Sequence, residues 1–86
     1  MNRDSVFHLI DAERAHQLEL WGRAHDWGTG DCSDPDLPTP VKVMVLTEET
    51  GEVARAVLEG DPQALRAELV QVAAVAVAWL ESLPAI

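Results

Sequence analysis

The chain has 86 residues, of which 48% are hydrophobic and 5% aromatic, and its formal net charge is −9. A chain of this length predicts a single domain, residues 1–86, whose own core is only marginally stabilising. The acidic balance and the lack of a basic patch argue against a nucleic-acid partner, and the single cysteine, Cys32, excludes an intrachain disulfide.

A first helix is predicted from about residue 4 to residue 21, where Gly22 ends it. The following segment, residues 22–39, is rich in Gly, Asp, Ser and Pro and shows no regular period, so we predict a loop without strands. This loop is longer than most connections in small domains, and loops of that kind are often functional. Two tryptophans mark it, Trp21 at its edge and Trp27 inside it.

Two further helices are predicted, from about residue 40 to 59 and from about residue 62 to 82. Each opens with a capping residue followed by proline, which the first helical position tolerates because its missing N–H has no partner there. The two pairs are Thr39-Pro40 and Asp61-Pro62. Because only a tight connection at Gly60 separates these helices, we predict that they form an antiparallel hairpin.

The third predicted helix is apolar on almost every side. Between Val70 and Leu80 nearly every residue is apolar, and most are Ala or Val. A helix that is apolar all round is buried all round, and three helices of one small chain cannot bury it. We therefore predict an all-α fold of three main helices, in which helices two and three of two chains form a four-helix core in a homodimer or a dimer of dimers.

The start of the chain and its apolar stretches bear on where the protein resides. No basic segment followed by an apolar core opens the chain, so no signal peptide is predicted. The longest apolar stretch, from Leu69 to Leu80, contains Gln71 and is too short to cross a bilayer. We expect a cytoplasmic protein that has no membrane partner.

Two carboxylates, Glu49 and Glu52, lie three residues apart and therefore on one face of the second predicted helix. That face also carries apolar residues, and carboxylates among core positions are costly unless a cation meets them. Glu52 and Glu68 each lie eight positions from the turn at residue 60. Glu49 and Gln71 each lie eleven positions from it, so the two pairs should face one another. Oxygen ligands of this kind suit magnesium, with manganese as an alternative, and predict chemistry on phosphates.

Each of these residues also has a simpler interpretation. The acids can be solvated helix faces that pair with nearby basic side chains. Glu48, which points away from its neighbour around the helix, either orients a water molecule or is exposed. Lys42 and Arg55 are candidates for binding phosphate oxygens, or are surface charges. Trp21 and Trp27 either stack on a nucleobase or anchor the loop.

Two short strings carry a family resemblance: EETGE, from Glu48 to Glu52, and ELVQ, from Glu68 to Gln71. They resemble the pattern E-E-x-x-E followed by E-x-x-D of the all-α nucleoside triphosphate pyrophosphohydrolases of the MazG-like type. The similarity extends over most of the chain, from about residue 13 to residue 83. The resemblance implies an intertwined oligomer, magnesium, and cleavage of a nucleoside triphosphate between its α and β phosphates.

Matched by position, Glu49, Glu52 and Glu68 correspond to the family's metal ligands, and Glu48 corresponds to the acid that helps to activate water. Gln71 stands where the family pattern has Asp. An amide offers only a neutral oxygen, so the metal site lacks one negative charge. Two alternatives to the enzyme follow: a catalytically silent nucleotide-binding or regulatory module, and a structural oligomer without a ligand.

Overall fold

The computed structural model describes all 86 residues and contains three long helices, α1 (Arg3–Trp21), α2 (Thr39–Glu59) and α3 (Pro62–Ser82). The predicted all-α class with three main helices is confirmed. The helices α2 and α3 are joined by two residues, 60 and 61, and pack closely against each other. Because α3 also packs against α1, it is the central helix of the fold.

The turn between α2 and α3 has the geometry that the sequence predicts, whereas the start of α2 does not. Gly60 adopts a left-handed conformation with a φ of 65°, and Oδ1 of Asp61 accepts the N–H of Ala64 at 3.0 Å, which caps α3. The predicted cap at Thr39 is wrong, because this residue already lies inside α2 and no side chain caps the helix. The carbonyl of Pro38 accepts the first backbone N–H groups instead.

The loop between α1 and α2 contains a small β-hairpin, so the prediction of a loop without strands was wrong. Strand β1 (Ala24–His25) pairs antiparallel with strand β2 (Gly28–Thr29), with His25 opposite Gly28. Strands of two residues are too short to show the alternation of polar and apolar side chains by which a sequence reveals a strand.

The buried core is small and lies where the loop meets α2 and α3. It comprises Cys32 and Leu37 from the loop, with Val75 and Ala78 from α3. Partly buried apolar side chains of α2 pack against this cluster: Val41, Val45 and Leu46. The core therefore joins the loop to the α2–α3 pair.

Much apolar surface stays exposed on a single chain. Only six hydrophobic residues are buried, while Leu58 on α2 is 87% exposed and Leu80 on α3 is 68% exposed. Within one chain, α3 is therefore not buried on every side. A four-helix core shared between chains would cover this surface, and it stays a prediction.

The helix α3 also has the length and composition of a membrane-spanning helix. It has 21 residues, and the mean hydropathy of its most apolar window is 1.3, with 17% of that window buried. It is the only helix in the molecule with these properties, and the core helix of a soluble protein shares them. The absence of a membrane partner stays a prediction.

Candidate functional site

A cavity of about 400 Å³ opens between α1, the loop, α2 and α3. Five of the predicted site residues line it: Trp21, Trp27, Glu48, Glu49 and Gln71. The structure thus brings both tryptophans and two of the acids to one space. Its volume falls in the range of about 300–1,000 Å³ that is typical of small-molecule sites.

Glu49 is the half-buried centre of the acidic residues. Burial, together with the negative charges of Glu68, Glu48 and Glu52, raises the pKa of Glu49 to about 7 from an ordinary value of 4.5. A carboxyl group behaves in this way where negative charge accumulates without a compensating cation. The predicted acids therefore interact with one another, and they do so through Glu49.

Gln71 lies opposite Glu49, as their equal distance from the turn predicts. Its amide nitrogen donates to Oε1 of Glu49 at 3.1 Å and to Oε2 at 2.9 Å. The partner fixes this orientation, because the opposite one would set the amide oxygen against two carboxylate oxygens. The neutral amide therefore acts as a hydrogen-bond donor to the acid.

Glu52 and Glu68 are half-buried but do not line the cavity. Glu68 raises the pKa of Glu49 through its negative charge and through its side-chain proximity, whereas Glu52 raises it through its charge alone. No three His, Cys, Asp or Glu side chains are close enough to hold a metal ion among themselves. Magnesium commonly takes only one or two carboxylates and completes its shell with water and phosphate oxygens. The oxygens of Glu49 and Glu68 fit a magnesium site of that kind, and the ligand roles stay predictions.

His25 holds the aromatic side of the cavity in place. Its Nδ1 atom accepts the backbone N–H of Trp27 at 3.2 Å, and its Nε2 atom lies 2.7 Å from the carbonyl oxygen of Gly30. Because Nδ1 accepts, Nε2 is the ring nitrogen that donates to the carbonyl of Gly30. The ring of Trp21 meets that of His25 edge-on, with centroids 5.4 Å apart. Sequence reasoning gave His25 no role, because its hydrogen-bond partners are backbone atoms.

Arg14 of α1 is buried and ties the loop to the helices. Its Nη1 atom lies 2.7 Å from Oδ2 of Asp31, and its Nε and Nη2 atoms each donate to Glu81 at 3.1 Å. Burial opposes the ionisation of Asp31, but hydrogen bonds from Ser33 and Arg14 outweigh this effect and lower the pKa of Asp31. The sequence does not reveal this network, because Arg14 is 17 residues from Asp31 and 67 from Glu81.

The two cations predicted to bind phosphate, Lys42 and Arg55, do not line the cavity. Lys42 is only 3% exposed, and no carboxylate forms an ion pair with it. It lies near Cys32, where burial raises the pKa of the thiol and keeps it protonated at neutral pH. The side chain of Arg55 is exposed and forms only a long ion pair with Glu59, at 3.9 Å.

The family model of the MazG nucleotide pyrophosphohydrolase domain matches residues 41–82, almost half of the chain. The matched segment contains nearly all of α2 and the whole of α3, and with them every predicted acid and Gln71. The wall of the cavity formed by α1 and the loop lies outside the match. No curated protein and no solved structure matches the chain.

Proposed function

Because the chain belongs to the MazG-like nucleotide pyrophosphohydrolase family, we propose that it hydrolyses a nucleoside or deoxynucleoside triphosphate to the monophosphate and pyrophosphate, with magnesium. The observation that carries this proposal is a single cavity with Glu48 and Glu49 on one side and Trp21 and Trp27 on another. A nucleotide is bound by both kinds of surface, since carboxylates hold the cation that meets its phosphates and aromatic rings stack on its base.

Glu49 and Glu68 would hold the metal, and Glu52 would add negative charge beside them. The raised pKa of Glu49 supports this assignment, because carboxylates that repel one another are stabilised by a shared cation. When bound, magnesium would neutralise charge on the phosphate oxygens. Gln71 would adjust the direction in which Glu49 presents its oxygens, and it would serve as a ligand only with its amide turned so that the oxygen faces inward.

Glu48 is the group that we propose to accept a proton from the attacking water. Its side chain lies at the cavity wall, and the chain offers it no ion-pair partner. A carboxylate with free oxygens can accept a hydrogen bond from water and take up its proton as the oxygen attacks phosphorus. Glu49, whose charge the metal would engage, is less suited to that role.

Trp21 and Trp27 would take the base. Both side chains line the cavity and are well exposed in it, at 48% and 61%, and His25 holds the segment that carries them. Lys42 and Arg55 stay proposals as phosphate contacts. Because neither lines this cavity, each would meet the phosphates only after a rearrangement.

We further propose that the working unit is a homodimer or a dimer of dimers. On α2, Val43 and Val57 are fourteen positions apart, as are Met44 and Leu58, so that all four lie on one side of the helix. These four side chains are 47–87% exposed in the single chain. Exposed apolar pairs near both ends of α2, beside the apolar α3, are typical of a helix that packs against another subunit.

Pyrophosphate release from the common nucleoside and deoxynucleoside triphosphates, measured with and without Mg²⁺ or Mn²⁺, tests the proposed reaction. We expect metal-dependent turnover, and a decrease in kcat of about 10²–10⁴-fold for Glu48→Gln. We expect Glu49→Gln to require a higher Mg²⁺ concentration for half-maximal activity. Glu19→Gln is the matched control, because Glu19 is an exposed acid of α1 outside the cavity and forms no ion pair.

Turnover of no triphosphate with either metal would remove the enzymatic assignment. If a non-hydrolysable triphosphate nevertheless bound, the chain would be a catalytically silent nucleotide-binding module. Equal loss of activity in Glu48→Gln and Glu19→Gln would show that Glu48 has no special part in proton transfer.

A further inference from the structure

Gln17 of α1 lines the cavity with an amide whose direction is fixed. The Nη1 atom of Arg14 donates to Oε1 of Gln17 at 3.0 Å. A guanidinium group has donors only, so the atom of Gln17 that faces it must be the oxygen. The amide nitrogen, with its N–H donors, is therefore left free for a ligand.

Arg14 is itself held rigidly, so this orientation of Gln17 does not depend on a ligand. Arg14 is 5% exposed, and the Nη1 atom that holds Gln17 also contacts Asp31. Its remaining guanidinium atoms are engaged by Glu81. A donor that is positioned before binding loses little conformational entropy when a ligand arrives.

Glu13 lies one helical turn before Gln17 and also lines the cavity. Residues four apart on a helix are neighbours on one face, so both side chains meet the same part of a ligand. The carboxylate of Glu13 has no ion-pair partner in the chain. An ionised carboxylate can only accept hydrogen bonds, and it has two oxygens with which to do so.

Together, the two side chains present the amide N–H group of Gln17 as a donor beside the two carboxylate oxygens of Glu13 as acceptors. Guanine has the complementary edge, in which the O6 acceptor is followed by two adjacent donors, the N1–H and the 2-amino group. Adenine and cytosine offer one amino group on this edge, and uracil and thymine offer one ring N–H. Two parallel N–H groups are also what a carboxylate binds most favourably.

We propose that Gln17 and Glu13 select a guanine nucleotide, with Gln17 donating to O6 and Glu13 accepting from N1–H and the 2-amino group. This inference rests on the proposed function, because it assigns the base that the same cavity takes. Trp21, four residues after Gln17 and also at the cavity wall, supplies the stacking surface that would bring the base edge to these two side chains. Arg14 is a positioning residue that acts through Gln17.

Calorimetric binding of α,β-methylene triphosphates of guanosine, inosine, adenosine, cytidine and uridine tests the proposal without turnover. We expect the guanosine compound to bind most tightly. The inosine compound should bind about tenfold more weakly, since it lacks the amino group that hydrogen-bonds to a charged acceptor. Glu13→Gln should remove this difference, whereas Gln17→Leu should weaken the guanosine and inosine compounds by a similar factor of about tenfold.

Two surface variants serve as matched controls. Glu19→Gln changes an exposed acid of α1, and Gln63→Leu changes an exposed amide of α3, and neither residue lines the cavity. Both should keep the wild-type order and strength of binding. Circular dichroism of all four variants separates a loss of recognition from a loss of fold.

The outcomes separate base selection from hydrolysis. Guanine preference that depends on Glu13 and Gln17, with or without turnover, supports the proposal. Hydrolysis of triphosphates with another base preferred, or with a guanine preference that survives both variants, would overturn it and leave the proposed function standing. Failure of every analogue to bind would overturn the base selection, and only absence of turnover of any triphosphate as well would overturn the proposed function.

Discussion

The amide nitrogen of Gln71 lies 2.9 Å from Oε2 of Glu49 and 3.1 Å from Oε1, so that one neutral side chain engages both oxygens of the acid. Two carboxylates at these positions would repel each other, as Glu68 and Glu49 already do. The amide therefore stabilises the ionised form of Glu49 in the absence of a metal, while it contributes no charge to hold one. Compared with aspartate, we expect glutamine at this position to favour the metal-free protein over a metal-bound one.

Gln71→Asp should favour the metal-bound protein over the metal-free one. The variant loses a donor to Glu49 and gains a negative charge, so we expect a lower Tm in EDTA and a larger rise in Tm on addition of Mg²⁺ than in the wild-type protein. Thermal denaturation across a Mg²⁺ titration measures both effects. Gln71→Leu, which removes the donor without adding charge, should lower the Tm in EDTA but show no larger response to Mg²⁺. An equal Mg²⁺ response in both variants would contradict the charge argument.

The raised pKa of Glu49 predicts how the stability of the metal-free protein depends on pH. Between its ordinary value of 4.5 and about 7, the folded chain holds a proton at Glu49 that the unfolded chain has released. The free energy of unfolding should therefore fall as pH rises through this window and level off above it. Asp31 does not mask the effect, because its pKa is lowered from 3.8 and its contribution is lost only at more acidic pH.

Denaturant unfolding in EDTA at several pH values measures this dependence. The difference between wild type and Glu49→Gln isolates the contribution of Glu49, since the variant cannot titrate there. We expect saturating Mg²⁺ to flatten the wild-type profile, because a cation favours the ionised carboxylate. A difference that stays constant from pH 4 to pH 8 would show that Glu49 titrates normally.

Arg14→Met should strongly destabilise the fold. The substitution keeps an apolar stem but leaves Asp31, which is 6% exposed, without its guanidinium partner. Breaking a buried ion pair in this way typically lowers the free energy of unfolding by about 3–5 kcal/mol. Denaturant unfolding measures it. Glu81→Gln should have a much smaller effect, because the side chain of Glu81 is 48% exposed.

The proposed oligomer predicts the behaviour of Leu80→Glu. Leu80 is 68% exposed in the single chain, so a charge there should leave the isolated subunit folded but disrupt a shared apolar core. Light scattering after size-exclusion chromatography should give at least about twice the chain mass of 9.4 kDa for the wild type and a shift toward one chain for the variant. Gln63→Glu adds the same charge at an exposed position and should not change the mass. A wild-type protein of one-chain mass would contradict the oligomer.

Short sequence motifs predicted the structural features that depend on residues adjacent in the sequence. The cap at Asp61 and the turn at Gly60 follow from residues next to each other in sequence. Glu49 and Gln71 are distant in sequence. Because a tight turn joins the two helices, their equal distance from that turn predicts that they face each other. For that reason the acidic wall of the cavity could be predicted in some detail.

The opposite wall could not be predicted, because no periodic pattern connects its parts. Arg14 and Glu81 come from opposite ends of the chain, and only the packing of α1 against α3 brings them together. The β-hairpin is held by backbone atoms, to which His25 adds two side-chain hydrogen bonds. The cap at Thr39 failed for a different reason, since the carbonyl of Pro38 supplies the acceptor that a capping hydroxyl would have supplied.

The two walls of the cavity come from separate stretches of the chain: the acids from α2 and α3, and the tryptophans from α1 and the loop. Arg14 links α1 to α3 mainly through Glu81, which lies near the end of α3, whereas Glu68 lies near its start. Substitutions on α1 that preserve Arg14 can therefore alter which ligand is chosen while the acids stay in place. For protein engineering, positions 13, 16 and 17 of α1 line the cavity without supplying the buried core, so libraries randomised there are the direct route to new ligand preferences.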